Sequence, residues 1–171
     1  MQKRKITKTS VKGLTVSAMI AALYVVLSYL CEALGLFRGA VQIRLPEALC
    51  VLCAFTPYAV PGMTLGCFLA NLLMGCAVID IIAGTLATFI GAYLGRAIIK
   101  RRALSSLSVF VSTLPTFIAN ALIMPPVISY AYGSDQGIFF VFLTVGAGEL
   151  ISAVIFGTLL GLSLKRASFR F

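Results

Sequence analysis

The chain has 171 residues, of which 60% are hydrophobic and only 11% are charged, and its 14 basic and five acidic side chains give a formal net charge of +9 at pH 7. A soluble domain is typically about half apolar and about a quarter charged, so this composition excludes a solvated globule and indicates an integral membrane protein. Each bilayer-spanning helix needs roughly 20 mostly apolar residues, which leaves no room for a separate soluble domain.

The basic residues are concentrated in three segments without acids, residues 1–12, 96–103 and 165–171, which hold 12 of the 14. Cytoplasmic loops carry an excess of Lys and Arg, so all three segments are predicted to face the cytoplasm. The number of spans on each side of the middle segment is then even, and Arg38 and Arg44 belong to the external side. Charge that marks orientation in this way argues against nucleic acid as a partner.

Two prolines divide the apolar sequence of the first half. Residues 13–31 are a charge-free run of 19 residues, which we interpret as a retained first helix rather than a cleaved signal peptide. Pro57 and Pro61 then interrupt the next apolar stretch, which predicts a short second helix over residues 46–55 and a third over residues 58–76. The second helix is too short to cross the bilayer squarely.

The remaining apolar runs predict three more helices. The fourth begins at about Asp80 and returns to the basic segment at 96–103. The fifth covers residues 104–128, with Pro115 inside it and Pro125-Pro126 ending it, and a polar external loop follows at residues 129–137. The sixth covers residues 138–164. The fold prediction is therefore an all-α integral membrane protein, a single domain over residues 1–171, with six transmembrane helices and both termini cytoplasmic.

Several kinds of catalytic site are missing from the sequence. It has no Gly-x-x-x-x-Gly-Lys-Ser/Thr loop for ATP phosphates and no histidine for a Ser-His-Asp triad or a zinc site. Cys50 and Cys53 have the spacing of a redox pair, but they lie in an apolar helix, where cysteine commonly serves as a small buried residue. We therefore expect no enzyme activity, no metal and no cofactor.

Small residues recur at four-residue spacing, which places each pair on one helix face and allows another backbone to approach closely. The glycine pairs are best explained by packing within the bundle. Ala18 and Ala22 lie on the first helix near its cytoplasmic end, where an external partner could dock instead. The glycine pairs are Gly62 and Gly66, Gly91 and Gly95, and Gly157 and Gly161.

Carboxylates in the apolar segments are costly unless they meet a partner or a wet cavity. Glu149 lies 11 residues into the sixth helix, which places it about 16 Å from the external end, and it is either a structural pair or a functional group. Glu47 and Asp80 each stand in the first turn of a helix, where helix capping and ligand binding use the same chemistry.

Amides and external polar residues complete the candidate site. Asn71 and Asn120 lie in apolar surroundings and either bond across helices or contact a substrate. Gln42 and Arg44 lie in the external connection, which is either a lid over a cavity or a solvated loop. With the three acids, Asn71 outlines a cavity nearer the external side, suited to a small ligand that is rich in N–H donors or cationic.

Several segments resemble the QueT family, the substrate-binding S components of energy-coupling factor transporters for queuosine precursors. The resemblance covers nearly the whole chain, and the Arg-x-x-Glu-Ala-Leu and Gly-Glu-Leu segments are its most specific parts. The segments are residues 41–49 (VQIRLPEAL), 56–62 (TPYAVPG), 70–73 (ANLL), 80–84 (DIIAG) and 148–150 (GEL).

The resemblance implies a multi-pass subunit in a prokaryotic cell membrane that takes up a 7-deazaguanine such as 7-aminomethyl-7-deazaguanine. It implies a transmembrane T component, docked on the Ala18-x-x-x-Ala22 face, and two cytoplasmic ATPase subunits. Gln42, Arg44, Glu47, Asn71, Asp80, Asn120 and Glu149 are the predicted substrate-binding residues. Three alternatives stay open: an S component for another vitamin-like ligand, a stand-alone ion-coupled transporter with Glu149 as proton carrier, and a structural membrane protein without a ligand.

Overall fold

The computed structural model describes residues 8–36, 42–100, 105–133 and 137–167, and every regular element within them is a helix. Four helices, those that begin at Lys8, Val78, Ser106 and Ile138, are long and apolar enough to cross a membrane. The elements are α1 (Lys8–Ala33), a 3₁₀ helix that we call the central helix (Leu45–Ala54), α2 (Ala59–Leu73), α3 (Val78–Lys100), α4 (Ser106–Tyr132) and α5 (Ile138–Arg166).

The all-helical prediction is confirmed, and each of the six predicted helices has a counterpart. The crossing of the membrane by all six and the cytoplasmic position of the termini stay predictions. The three basic segments that carry the topology argument lie partly outside the described residues, at 1–7, 101–104 and 168–171.

The central helix forms the middle of the bundle. Its ten residues rise about 20 Å at the spacing of a 3₁₀ helix, less than the roughly 30 Å of a bilayer core. Pro46 stands in its first turn, where a missing N–H costs nothing, and every residue from Pro46 to Ala54 is buried. It packs against all five longer helices, which shield it from lipid, so it need not cross the whole bilayer.

The glycine pairs pack helices closely, as predicted. A Cβ on Gly66 would lie 2.6 Å from the Tyr24 Cβ, so α2 approaches α1 only because this side chain is missing. A Cβ on Gly91 would lie 2.5 Å from the Thr116 Cα, so the missing side chain likewise allows α3 to pack closely against α4. Similar close contacts occur at Gly62, Gly95 and Gly161.

The prediction that Pro125 and Pro126 end the fifth helix is wrong. α4 continues through both prolines to Tyr132 and ends at Gly133, whose φ of +61° suits a residue without a Cβ. In an apolar bundle, a break in the helix would leave more backbone polar groups unpaired than a proline does, because each proline removes only one N–H donor. The carbonyl oxygens that lose this donor are satisfied by neighbouring groups. The extra turn carries Tyr132 to the beginning of α3.

Candidate functional site

A cavity of about 250 Å³ lies at the end of the bundle where α3 begins and α4 ends. This end is opposite the helix ends that carry Lys100 and Lys165. One part of the wall is polar and another is apolar, which is the usual construction of a small-molecule site. The lining residues are Gln42, Arg44, Gly75, Cys76, Asp80, Met124, Ile128 and Tyr132.

Asp80 supplies the acidic group of the cavity. Its carboxylate is 6% exposed, and its Oδ2 accepts a hydrogen bond of 2.8 Å from the Tyr132 hydroxyl, which in turn accepts from the Ala77 N–H at 3.2 Å. The other oxygen, Oδ1, is buried without a hydrogen-bond partner. A Cβ on Gly84 would lie 3.8 Å from Oδ1. Asp80 therefore keeps one acceptor available beside the cavity.

Arg44 supplies the basic group, and it is buried rather than placed on a solvated loop. Its Nη2 donates to Asn71 Oδ1 at 3.1 Å, and Asn71 Nδ2 lies 3.6 Å from the Cys67 sulfur. Burial alone lowers the pKa of the guanidinium, but the groups around it, Glu47 and Asp80 among them, hold that pKa well above its ordinary value. Arg44 is therefore a permanent cation in the wall of the cavity.

Glu47 lies deeper, completely buried at the start of the central helix. It does not cap its own helix, because its Oε1 accepts from the Tyr24 hydroxyl of α1 at 2.5 Å and from Thr88 Oγ1 of α3 at 3.2 Å. Its second oxygen, Oε2, has no hydrogen-bond partner. Thr88 lies eight residues after Asp80 in α3, about 12 Å further into the bundle.

Glu149 and Asn120 form a second deep polar pair. Both are at least 98% buried, they lie close to each other, and the carboxylate of Glu47 is near enough to repel that of Glu149. The Asn120 amide hydrogen-bonds to Glu149, whereas Glu149 Oε2 and Asn120 Oδ1 lack hydrogen-bond partners. A π-helical stretch begins immediately afterwards, at Leu150, and such stretches occur most often at functional sites.

Met124 separates the cavity from the deep pair. It lies one turn from Asn120 along α4, about 6 Å nearer the cavity, and it lines the cavity wall. Met124 packs with Val141 and Val145 of α5. Val145 lies one helical turn before Glu149, just as Met124 lies one turn from Asn120. The flexible thioether thus lies between the cavity and the helix turns that carry Asn120 and Glu149.

The segment before the central helix is seated on α5 at Gly148. A Cβ at this position would overlap the carbonyl oxygen of Gln42, so only glycine allows the contact. Gln42 and Arg44 therefore line the cavity because the residue next to Glu149 lacks a side chain.

The predicted residues fall into two levels and one separate surface. Gln42, Arg44 and Asp80 line the cavity, and Asn71 bonds to Arg44 behind it. Glu47, Asn120 and Glu149 lie deeper. Ala18 and Ala22 lie on an exposed face of α1, apart from the cavity. Sequence reasoning missed Tyr24, Thr88 and Tyr132, whose hydroxyls orient the carboxylates.

The interior has an excess of negative groups. Among the described residues, the buried carboxylates of Glu47, Asp80 and Glu149 face the single buried guanidinium of Arg44. Uncompensated buried charge costs several kcal/mol per ion, so the two carboxylates in excess require protons, a cationic occupant or both.

A polar cavity inside an apolar helical bundle defines a small membrane protein of the solute-binding or transporting class. The family model described as QueT transporter matches residues 14–166, which is nearly the whole chain. The chain therefore belongs to the QueT transporter family, in agreement with the resemblance of its sequence motifs, and it is a transport protein. Comparisons with curated proteins and with solved structures found no match.

Proposed function

We propose that this protein is the S component of an energy-coupling factor importer that captures a queuosine precursor, such as 7-aminomethyl-7-deazaguanine, from outside the cell. The observation that carries the proposal is the cavity, in which the cation of Arg44 and the unpartnered Asp80 Oδ1 lie beside apolar walls.

The polar groups of the cavity suit the edge of a guanine-like ring. Such a ring presents a carbonyl oxygen next to N–H donors. Arg44 and Gln42 can donate to the carbonyl, while Asp80 Oδ1 can accept from the neighbouring N–H groups. Met124 and Ile128 supply apolar surface for the ring faces, and the Tyr132 ring stands at the rim.

The family and the charge distribution support the proposed partners and orientation. The sequence has no phosphate-binding loop for ATP, and we propose that separate ATPase subunits supply the energy and act through a transmembrane T component. The described basic residues of these segments, such as Lys12, Arg96 and Lys165, lie near the helix ends opposite the cavity. By the positive-inside rule, the cavity then faces the exterior of a prokaryotic cell.

Cys76 offers a direct test of both the cavity and its orientation. It is the half-buried cysteine of the cavity wall, whereas Cys31, Cys50, Cys53 and Cys67 are at most 1% exposed. A membrane-impermeant maleimide added to intact cells should modify Cys76. At ten times its Kd, 7-aminomethyl-7-deazaguanine should slow the reaction about tenfold, because only the empty fraction reacts. Mass spectrometry of the purified protein measures the modification.

The Cys76→Ser variant is the matched control and should remain unmodified. Modification that requires broken cells would place the cavity on the cytoplasmic side. Protection by thiamine or riboflavin, but not by the deazaguanine, would contradict the substrate assignment and favour an S component for another vitamin-like ligand.

Ala18 and Ala22 form the proposed docking face for the T component. Because both are exposed, Ala22→Leu should leave ligand binding and thermal stability unchanged while it reduces uptake by the assembled transporter at least tenfold. The neighbouring Ala21 is 4% exposed, so Ala21→Leu should instead destabilise the bundle itself.

Ligand binding, stability and ATP-dependent uptake in liposomes are compared for the two variants. Equal loss of binding and uptake in Ala22→Leu would contradict a docking role. Uptake by the isolated chain under an ion gradient, without ATPase subunits, would overturn the proposed energy source and favour a stand-alone transporter.

A further inference from the structure

We infer that the ligand binds with its ammonium group inward, between Glu47 and Glu149, and with its ring in the outer cavity. This inference rests on the proposed function and assigns a separate recognition role to each level of the site. The outer level, with Arg44 and Asp80, would bind the ring, and the deep level, with Glu47 and Glu149, would bind a primary ammonium.

The outer level is poorly suited to a cation. Arg44 and Asp80 line the same cavity, so an ammonium placed against Asp80 would meet one carboxylate and the guanidinium. Arg44 also acts on Glu47 and Glu149, but at the deep level two carboxylates oppose it. Tyr132 already donates to one oxygen of Asp80. The remaining donor and acceptor groups suit a neutral heterocycle.

The deep level holds two carboxylates, those of Glu47 and Glu149, and is the more acidic of the two levels. Three acceptor oxygens there lack hydrogen-bond partners: Glu47 Oε2, Glu149 Oε2 and Asn120 Oδ1. Their residues are at least 98% buried, where an acceptor left unpaired is rare and costly. A primary ammonium carries three N–H donors and one positive charge, so it matches these three acceptors in number and offsets their charge.

Contacts of the central helix indicate that these groups lie near one another. Cys50 is close to Glu47, to Glu149 and to Thr116 of α4. Thr116 lies one turn below Asn120, and its hydroxyl contacts the Cys50 thiol. The carboxylates of Glu47 and Glu149 therefore approach each other from the central helix and α5, with the polar side of α4 between them.

The route from the cavity to these groups passes Met124. Asn120 lies about one helical turn beyond Met124, so a ring that rests against the thioether needs only a short arm to reach the deep oxygens. Met124 can change rotamer to admit such an arm, because its side chain is unbranched and flexible. A ligand of this shape has a planar ring and a one-carbon ammonium arm.

Two ligands with the same ring test this inference. 7-Aminomethyl-7-deazaguanine carries the ammonium, and 7-cyano-7-deazaguanine is its neutral counterpart. The unmodified protein should prefer the ammonium ligand. Glu149→Gln should lower that preference about tenfold or more, the range of hydrogen bonds to charged groups, with little change in affinity for the cyano ligand. Asp80→Asn should weaken both ligands similarly. Calorimetry measures all the affinities.

The result that would overturn the inference is a preference abolished by Asp80→Asn and unaffected by Glu149→Gln. A second measurement uses methylammonium chloride, which should raise the Tm of the unmodified protein above that in equal NaCl and should not do so in Glu149→Gln. If neither deazaguanine binds the unmodified protein, the proposed substrate is wrong, and the methylammonium result decides the ammonium subsite by itself.

Discussion

Gly148→Ala should weaken ligand binding by more than tenfold and lower the stability of the protein, although it adds one methyl group. The new Cβ would overlap the carbonyl oxygen of Gln42, so the backbone before the central helix must move away from α5. Overpacking of this kind typically costs about 1–3 kcal/mol. The loss of affinity follows because the same backbone carries Arg44 into the cavity wall.

Gly146→Ala is the matched control. It lies two residues earlier in the same helix, and no atom lies within 4 Å of the position that its Cβ would occupy. Alanine favours a helix over glycine by up to about 1 kcal/mol, so this variant should bind normally and be slightly more stable. Thermal unfolding in detergent and ligand titration compare the two variants. Equal behaviour would show that the contact at Gly148 does not position the cavity.

The order of the helices could be predicted from the sequence because two strong signals coincide. Apolar runs of sufficient length mark the helices, and basic clusters mark their ends. Glycines four residues apart correctly indicated the close helix contacts. Pro125 and Pro126 misled the prediction, because a proline that ends a helix in water can remain inside one in an apolar bundle.

The polar level of the site was only partly predictable. Carboxylates in apolar sequence are rare, so Glu47, Asp80 and Glu149 could be predicted as candidate site residues. Tyr24 and Tyr132 did not, because tyrosine occurs equally in bundle interiors, at lipid interfaces and in loops. Their hydroxyls acquire a role only when the fold brings a carboxylate to them. Residues from separate helices meet through tertiary packing, which local sequence patterns do not encode.

Arg44→Gln should be among the most destabilising substitutions in the chain. The variant can still donate to Asn71 Oδ1, but it leaves the buried carboxylates of Glu47, Asp80 and Glu149 without their cation. Removing one partner from a buried ion pair typically costs about 3–5 kcal/mol. The folded variant would bind protons that the unfolded chain releases, so its free energy of unfolding should fall as the pH rises.

Two further variants separate charge from hydrogen bonding at Arg44. Arg44→Lys retains the cation and should lose less stability than Arg44→Gln. Adding Asp80→Asn to Arg44→Gln removes one of the uncompensated carboxylates and should recover part of the loss, so the two substitutions should not be additive. Thermal unfolding at pH 5 and pH 8 measures all three proteins. If the double variant is no more stable than Arg44→Gln at either pH, the carboxylate of Asp80 does not depend on Arg44 for its charge balance, and the argument that a cationic ligand balances the interior loses its basis.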